Sequence, residues 1–239
     1  MGSISREFCA SPQKAVFKGL LFDMDGTIID STNAIVKHWN KLGKEIGVDP
    51  NVILETSHGR RSIDVLKIIA PEKANWDYIK HAEGLIPQNY GNDAIEIPGA
   101  RSLLDSLNHG AHPWTIVTSG TSPLVIGWLN VLKLPIPEHL VVAEDVLNGK
   151  PDPACYNLGK AKLSLTSAPQ NSILVLEDSP AGIRAGKAAN CKVLAVVTSH
   201  TIEQVVAAGA DWVVRDLSSV KVLGSRDGGV ELEISNALL

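Results

Sequence analysis

The sequence predicts an α/β protein: a doubly wound, Rossmann-like parallel sheet that carries an inserted all-helical domain. Three observations predict it. Short apolar runs without polar alternation recur along the chain, helical patterns separate them, and the long stretch between the first two runs shows helical spacing only.

The runs are "GLLF" (19–22), "WTIVT" (114–118), "LVVA" (140–143), "SILVL" (172–176), "KVLAVV" (192–197) and "DWVV" (211–214). They are rich in Val, Ile and Leu, as expected of strands covered on both faces. Helical patterns lie between them. "ARSLLDSL" precedes the second run, "SPLVIGWLNVL" follows it, and "DPACYNLGKAKL" precedes the fourth. "SPAGIRAGKAAN" follows the fourth, with Ser179 as N-cap, Pro180 at the first helical position and Asn190 as a left-handed stop. The tail "DGGVELEI" reads as a turn into a short alternating strand, with no partner assigned.

About ninety residues separate the first run from the second, far more than a crossover needs. Ile35, Trp39, Leu42 and Ile46 recur at helical spacing, and "IDVLKII" and "WDYIKHAEGLI" are helical too. The expected organisation is a core of residues 15–33 and 98–239, a helical cap of residues 34–97 closed by Pro98-Gly99, and a flexible arm of residues 1–14.

A net charge of −4 argues against non-specific nucleic-acid binding, which needs a basic surface. Cys9, Cys155 and Cys191 are an odd set without CxxC spacing, which reads as reduced, intracellular thiols. No apolar run approaches the roughly 20 residues that span a bilayer. No membrane partner is expected, and the expected location is the cytoplasm.

In an open α/β sheet, ligands bind at the carboxyl ends of the strands. The first strand delivers Asp23 and Asp25, and the second delivers Thr118, Ser119 and Gly120. Lys150 follows the third in "NGKPDP", and the fourth delivers Glu177 and Asp178. Any one such Asp is an ordinary helix cap or turn former. Four acids at adjacent strand ends are different, because they repel unless a cation neutralises them. Mg²⁺, a hard cation that takes carboxylates, waters and substrate phosphate, does this, and Lys150 adds a second positive charge.

Such a site suits phosphoryl transfer, which is mostly positioning and charge neutralisation. Asp23 is the expected nucleophile, forming an aspartyl phosphate. Asp25 is the expected acid and base, with its carbonyl near the metal. The Thr118 hydroxyl, the Ser119 and Gly120 amides and the Lys150 ammonium are expected to hold the phosphoryl oxygens. Asp23, Asp25, Glu177 and Asp178 form the expected metal set.

"DMDGT", "TSG", "GKPDP" and "LEDSPAGI" occur in the order and context of the four motifs of the haloacid dehalogenase superfamily, from residue 19 to about 215. The chain resembles that superfamily, and the helical insertion resembles its α-helical cap. The resemblance implies the same roles: Asp23 nucleophile, Asp25 acid and base, Thr118 and Lys150 phosphate binders, with Mg²⁺ among the acids. The second Asp of the first motif implies phosphatase or mutase chemistry rather than dehalogenation.

Within the cap, "TSHGRRSID" (56–64) is the most polar, turn-like stretch, and His58, Arg60 and Arg61 carry donors suited to hydroxyls or a second anion. Arg60 is read as an exposed helix-start residue. The stretch resembles the substrate loop of fungal glycerol-phosphate and 2-deoxyglucose-6-phosphate phosphatases, matching at Ser57, His58, Gly59 and Arg61. The segment from Ala82 resembles the end of their caps, which adds Glu83. The expected substrate set is therefore Ser119, Gly120, His58, Arg61 and Glu83. The expected activity is Mg²⁺-dependent hydrolysis of a small sugar or polyol phosphate by a monomer. A β-phosphoglucomutase-like mutase and a non-catalytic, receiver-like phospho-accepting module are the alternatives.

Overall fold

The computed structural model describes residues 7–57 and 59–238, without the side chains of residues 55–57. Strands β1 (Gln13–Phe17), β2 (Gly19–Phe22) and β3 (Ile29–Asp30) come first. Helices α1 (Thr32–Ile46), α2 (Pro50–Ser57), α3 (Ser62–Ile69) and α4 (Trp76–Tyr90) then precede β4 (Ile95–Glu96). Next come α5 (Ala100–His109), β5 (Trp114–Val117), α6 (Ser122–Val131), β6 (Leu140–Val141), α7 (Ala154–Lys162) and β7 (Ile173–Glu177). They are followed by α8 (Pro180–Ala188), β8 (Lys192–Val196), α9 (Ile202–Ala207), β9 (Trp212–Val214), β10 (Val220–Arg226) and β11 (Gly229–Ile234).

All six apolar runs form one parallel sheet in the order β6-β5-β2-β7-β8-β9. The reason for their continuous apolarity is visible in β2. Leu20 and Phe22 enter the core on one face, Leu21 the core on the other, and all three are fully buried. Each such side chain contributes roughly 1.5–3 kcal/mol relative to an exposed one. The chain runs outward from β2 through β5 to β6, then returns to β7, so the strand order reverses around β2. A crevice opens at such a reversal. Ser179 caps α8, accepting from the Gly182 amide at 3.1 Å, and Asn190 beyond it has a φ of +58°.

The insert packs around its own cluster, including Trp39, Leu42, Ile53, Leu66 and Ile79. Its two ends are tied by an antiparallel pairing of β3 with β4, Ile29 opposite Glu96 and Asp30 opposite Ile95. Helix α4 leans on α6, where a Cβ on Gly127 would sit 2.7 Å from the Pro87 ring. All three cysteines are free thiols. Among the described residues no helix is long and apolar enough to cross a membrane.

The expected flexible arm of residues 1–14 is corrected over its described part. Phe8 bridges Leu238, the buried Ala10 donates its amide to Ala237 O at 3.1 Å, and Gln13 already lies in β1. Residues 1–6 of that arm lie outside the described residues. The tail strand finds its partners here, in an antiparallel sheet of order β1-β11-β10. Pairing with β11 orders β1 even though its first residues, Gln13 and Lys14, are polar and exposed.

Candidate active site

Asp23 leaves the end of β2 with its amide bonded to Leu176 O of β7 at 2.9 Å, so its backbone continues the sheet. The chain then turns tightly: Met24 O accepts from the amides of Thr27, Ile28 and Ile29 at 3.2, 2.9 and 3.1 Å. Gly26 has a φ of +93° and its missing side chain leaves room for the Asp178 carboxylate. This turn sends the Asp25 side chain elsewhere than Asp23, and Ser31 Oγ donates to Asp25 Oδ1 at 2.5 Å.

Lys150 is buried and holds two acids at once, donating to Asp23 Oδ1 at 2.5 Å and Glu177 Oε1 at 2.6 Å. The Tyr156 hydroxyl donates to the same Glu177 oxygen at 2.9 Å. The other, Oε2, accepts from the amides of Asp178 and Ser179, each at 2.9 Å, and from Ser179 Oγ at 3.0 Å. Glu177 is thereby pinned, and it in turn orients Lys150. Thr27 Oγ1 lies 3.4 Å from both Asp23 Oδ2 and Asp178 Oδ1, and Ser199 Oγ donates to Asp178 Oδ2.

Electrostatics follow from crowding. Burial, with repulsion from Glu177 and Asp25, pushes the Asp23 carboxyl up to about 7 against the pull of Lys150. Burial and the charges of Glu177 and Asp23 also hold Asp178 well above the usual carboxylate range. Burial opposes charge on Glu177 and on Lys150 as well, but attraction wins: Lys150 and the hydrogen bonds that Glu177 accepts hold Glu177 low, and Asp23 together with Glu177 holds the ammonium high. Burial raises Asp25, with the Ser31 bond opposing. Ligand atoms of Asp23, Glu177 and Asp178 lie within 4.8 Å of one another. A buried, oxygen-only, acid-rich group of this size fits a hard divalent cation. Asp25 does not bring its carboxylate to that group.

A cavity of about 110 Å³ opens over these residues, lined by Asp23, Asp25, Thr118, Ser119, Gly120 and Asp178 from the core. From the insert it is lined by Ile35, Trp39, Gly59, Arg60, Ser62 and Glu83. Thr118 Oγ1 accepts the Gly120 amide at 3.0 Å, so that amide orients the hydroxyl rather than standing free. Ser119 Oγ donates to Gly59 O at 3.1 Å, core to insert. Glu83 bridges likewise, accepting from Ser62 Oγ at 2.5 Å and from the Thr121 amide at 2.8 Å, and burial raises its pKa. A larger cavity of about 280 Å³ between α1 and α4, lined by His38, Lys41 and His81 among others, lies apart from the acid cluster.

The structure thus brings together Asp23, Asp25, Thr118, Ser119, Gly120, Lys150, Glu177, Asp178 and Glu83. His58 lies outside the described residues. Arg61 is corrected: it does not line the cavity, whereas its neighbour Arg60 does. Arg61 is buried, with its guanidinium bound to Asp64 and to backbone carbonyls of the core. Its extended backbone separates the two side chains, a distinction that sequence adjacency does not carry. Sequence reasoning also missed Thr27, Ser31, Tyr156 and Ser199. Hydroxyls carry no charge signal; Thr27 lies within "DMDGT", and Ser31 and Tyr156 stand a few residues beyond motifs that could have flagged them, whereas Ser199 stands near none.

The haloacid dehalogenase-like hydrolase family model matches residues 20–196. The chain is 37% identical over 217 residues to glycerol-1-phosphate phosphohydrolase 1 of Saccharomyces cerevisiae, covering 88% of this chain and 87% of that protein. It is 35% identical over 234 residues to 2-deoxyglucose-6-phosphate phosphatase 2 of the same yeast, covering 91% and 95%. A solved hydrolase from Pseudomonas syringae shares the fold with a TM-score of 0.70 at 24% identity, covering 84% of this chain and 94% of that one. With its motifs gathered at one sheet edge, the chain belongs to the haloacid dehalogenase-like hydrolase family.

Proposed function

We propose that this protein is a Mg²⁺-dependent phosphatase of small sugar or polyol phosphates that works through an aspartyl phosphate on Asp23. One observation carries the reading: a single buried ammonium, Lys150, spans Asp23 and Glu177 while Asp25 is held apart by Ser31. Attack and proton transfer are thereby assigned to different carboxylates two residues apart. The names of the relatives support the substrate class, since one acts on glycerol 1-phosphate and the other on 2-deoxyglucose 6-phosphate.

In the first step Asp23 forms a bond to phosphorus as the ester P–O bond breaks, and the Asp25 carboxyl gives its proton to the departing alkoxide. Its raised pKa, caused by burial, favours the protonated form needed there. In the second step Asp25 takes a proton from water, the water oxygen bonds to phosphorus, and the Asp23–phosphorus bond breaks to free inorganic phosphate. Lys150 and the Thr118 hydroxyl, oriented by the Gly120 amide, hold the phosphoryl oxygens. Asp23, Glu177 and Asp178, with the Asp25 carbonyl, would hold Mg²⁺, which would supply neutralisation of the acids and of phosphate charge.

Residues 34–97 act as a cap over the core of residues 15–33 and 98–239, opening to admit substrate and water. Arg60 and Glu83 read the hydroxyls of the leaving group against a wall of Ile35 and Trp39. The enzyme acts in the cytoplasm as a monomer. The test is inorganic phosphate release from a panel of sugar and polyol phosphates, with Mg²⁺ and with chelator. Rapid, Mg²⁺-dependent release from several supports the phosphatase. Isomerised sugar phosphate without release points to a mutase, and neither product points to a phospho-accepting module.

A further inference from the structure

Arg61 stands immediately before α3 with extended backbone, φ −71° and ψ 140°. A guanidinium has five N–H donors, and all of this one's acceptors are in place. Nε and Nη2 donate to the two oxygens of Asp64 at 2.8 and 3.0 Å. Nη1 donates to Ala143 O at 3.3 Å and Val146 O at 2.7 Å, and Nη2 donates to Leu147 O at 3.0 Å. The charge is neutralised by Asp64, so it is not offered to a substrate anion. Three of the acceptors lie across the interface, in the core segment that runs to Lys150.

That segment also rests on the pair. A Cβ on Gly149 would lie 2.7 Å from Arg61 Nε and 3.2 Å from Asp64 Oδ2, so the residue before Lys150 packs directly against them. Of the other polar bridges between insert and core, Ser119 to Gly59 and Glu83 to Thr121 touch no part of residues 143–149, and the half-exposed Lys80 reaches that segment only through an ion pair with Glu144 at 3.4 Å. We infer that Arg61, buttressed by Asp64, is a positioning residue that couples closure of the insert to the placement of Lys150. With the insert apart, residues 143–147 lose three hydrogen bonds and Gly149 loses its wall. Lys150 is then no longer fixed between Asp23 and Glu177, and the reacting groups assemble only when the insert is down. The inference rests on the phosphatase reading through the role given to Lys150.

The test uses Arg61→Ala and Gly149→Ala in the full chain, followed by amide hydrogen exchange and by phosphate release from a sugar phosphate and an aryl phosphate. Exchange across residues 143–149 should quicken in Arg61→Ala while the six-stranded sheet stays protected. Turnover should fall about a hundredfold on both substrates, with KM within about threefold. Arg61→Lys should not rescue, because an ammonium lacks the planar fork. Gly149→Ala, which intrudes from the core side, should reproduce the pattern even if Arg61→Ala does not fold. The double variant should be scarcely worse than either single one. Unchanged exchange at 143–149 overturns the inference, as does a loss confined to KM for the sugar phosphate. A loosened segment with unchanged turnover also overturns it. In that event Lys150→Ala separates the premises: full activity there faults the role of Lys150, and lost activity faults the coupling alone.

Discussion

Ser31 Oγ donates to Asp25 Oδ1 at 2.5 Å, and Ser31 is the residue at which the chain leaves the core for α1. The hydroxyl keeps the carboxyl of Asp25 turned from Asp23 and aimed along the cavity that Ser31 also lines. Ser31→Ala should therefore lower kcat about tenfold with little change in KM, and Ser31→Thr should restore most of it. Steady-state kinetics on one sugar phosphate decides this; an unchanged kcat removes Ser31 from the machinery.

Asp178 depends on a hydroxyl in the same way. Ser199 reaches it from the loop after β8, and Thr27 approaches its other oxygen. Supporting partners of metal ligands typically govern affinity by 10–100-fold. Ser199→Ala should raise the Mg²⁺ concentration for half-maximal activity by about tenfold, with kcat at saturating Mg²⁺ close to normal. A Mg²⁺ titration of both proteins measures it, and superimposable curves would refute the support.

Arg60 lines the cavity from the insert and Arg61 does not. A charge-assisted hydrogen bond contributes about 1.5–3 kcal/mol. Arg60→Ala should accordingly raise KM for the natural sugar or polyol phosphate roughly tenfold or more, while an aryl phosphate, which offers no hydroxyls, is hardly affected. Equal losses on both substrates would show that Arg60 does not read the leaving group.

His38, half-buried on α1, titrates at about 4 because burial, and secondarily Lys41, disfavours its charged form. The unfolded chain takes up this proton near pH 6.5 and the folded one only near 4, so the unfolded state binds more protons between those values. Stability should fall as the pH drops through that window, by about 1–3 kcal/mol from this residue. Thermal melts of the wild type and His38→Gln across pH 7 to 4 test the sign: the variant should lose part of the slope.

Much of this architecture was legible because burial on both faces forces parallel strands to be continuously apolar, as "GLLF" and "SILVL" are. The outer sheet was harder to see. β10 has only Val220 buried, with half-buried and exposed residues alternating after it, and β1 has just Ala15, Val16 and Phe17 after the exposed Gln13 and Lys14, so neither shows an apolar run of four. At the site, charged strand-end residues announced themselves, since four acids and a lysine need a common explanation. The hydroxyls of Thr27, Ser31 and Ser199 carried no such signal. Arg60 and Arg61 were indistinguishable as letters; which one faces the cavity is decided by the extended turn before α3 and by three carbonyls more than eighty residues away.

The central claim is that Asp23 carries the phosphoryl group between substrate and water. It is tested most directly by mixing the protein with Mg²⁺ and a sugar phosphate, quenching in acid within one turnover, and mapping phosphorylated peptides by mass spectrometry. The account expects one acid-stable, base-labile phosphoryl group on Asp23, and neither phosphoenzyme nor turnover in a folded Asp23→Asn variant. Phosphate release by Asp23→Asn at a rate near that of the wild type, with no phosphorylated Asp23 in the wild type, would contradict it.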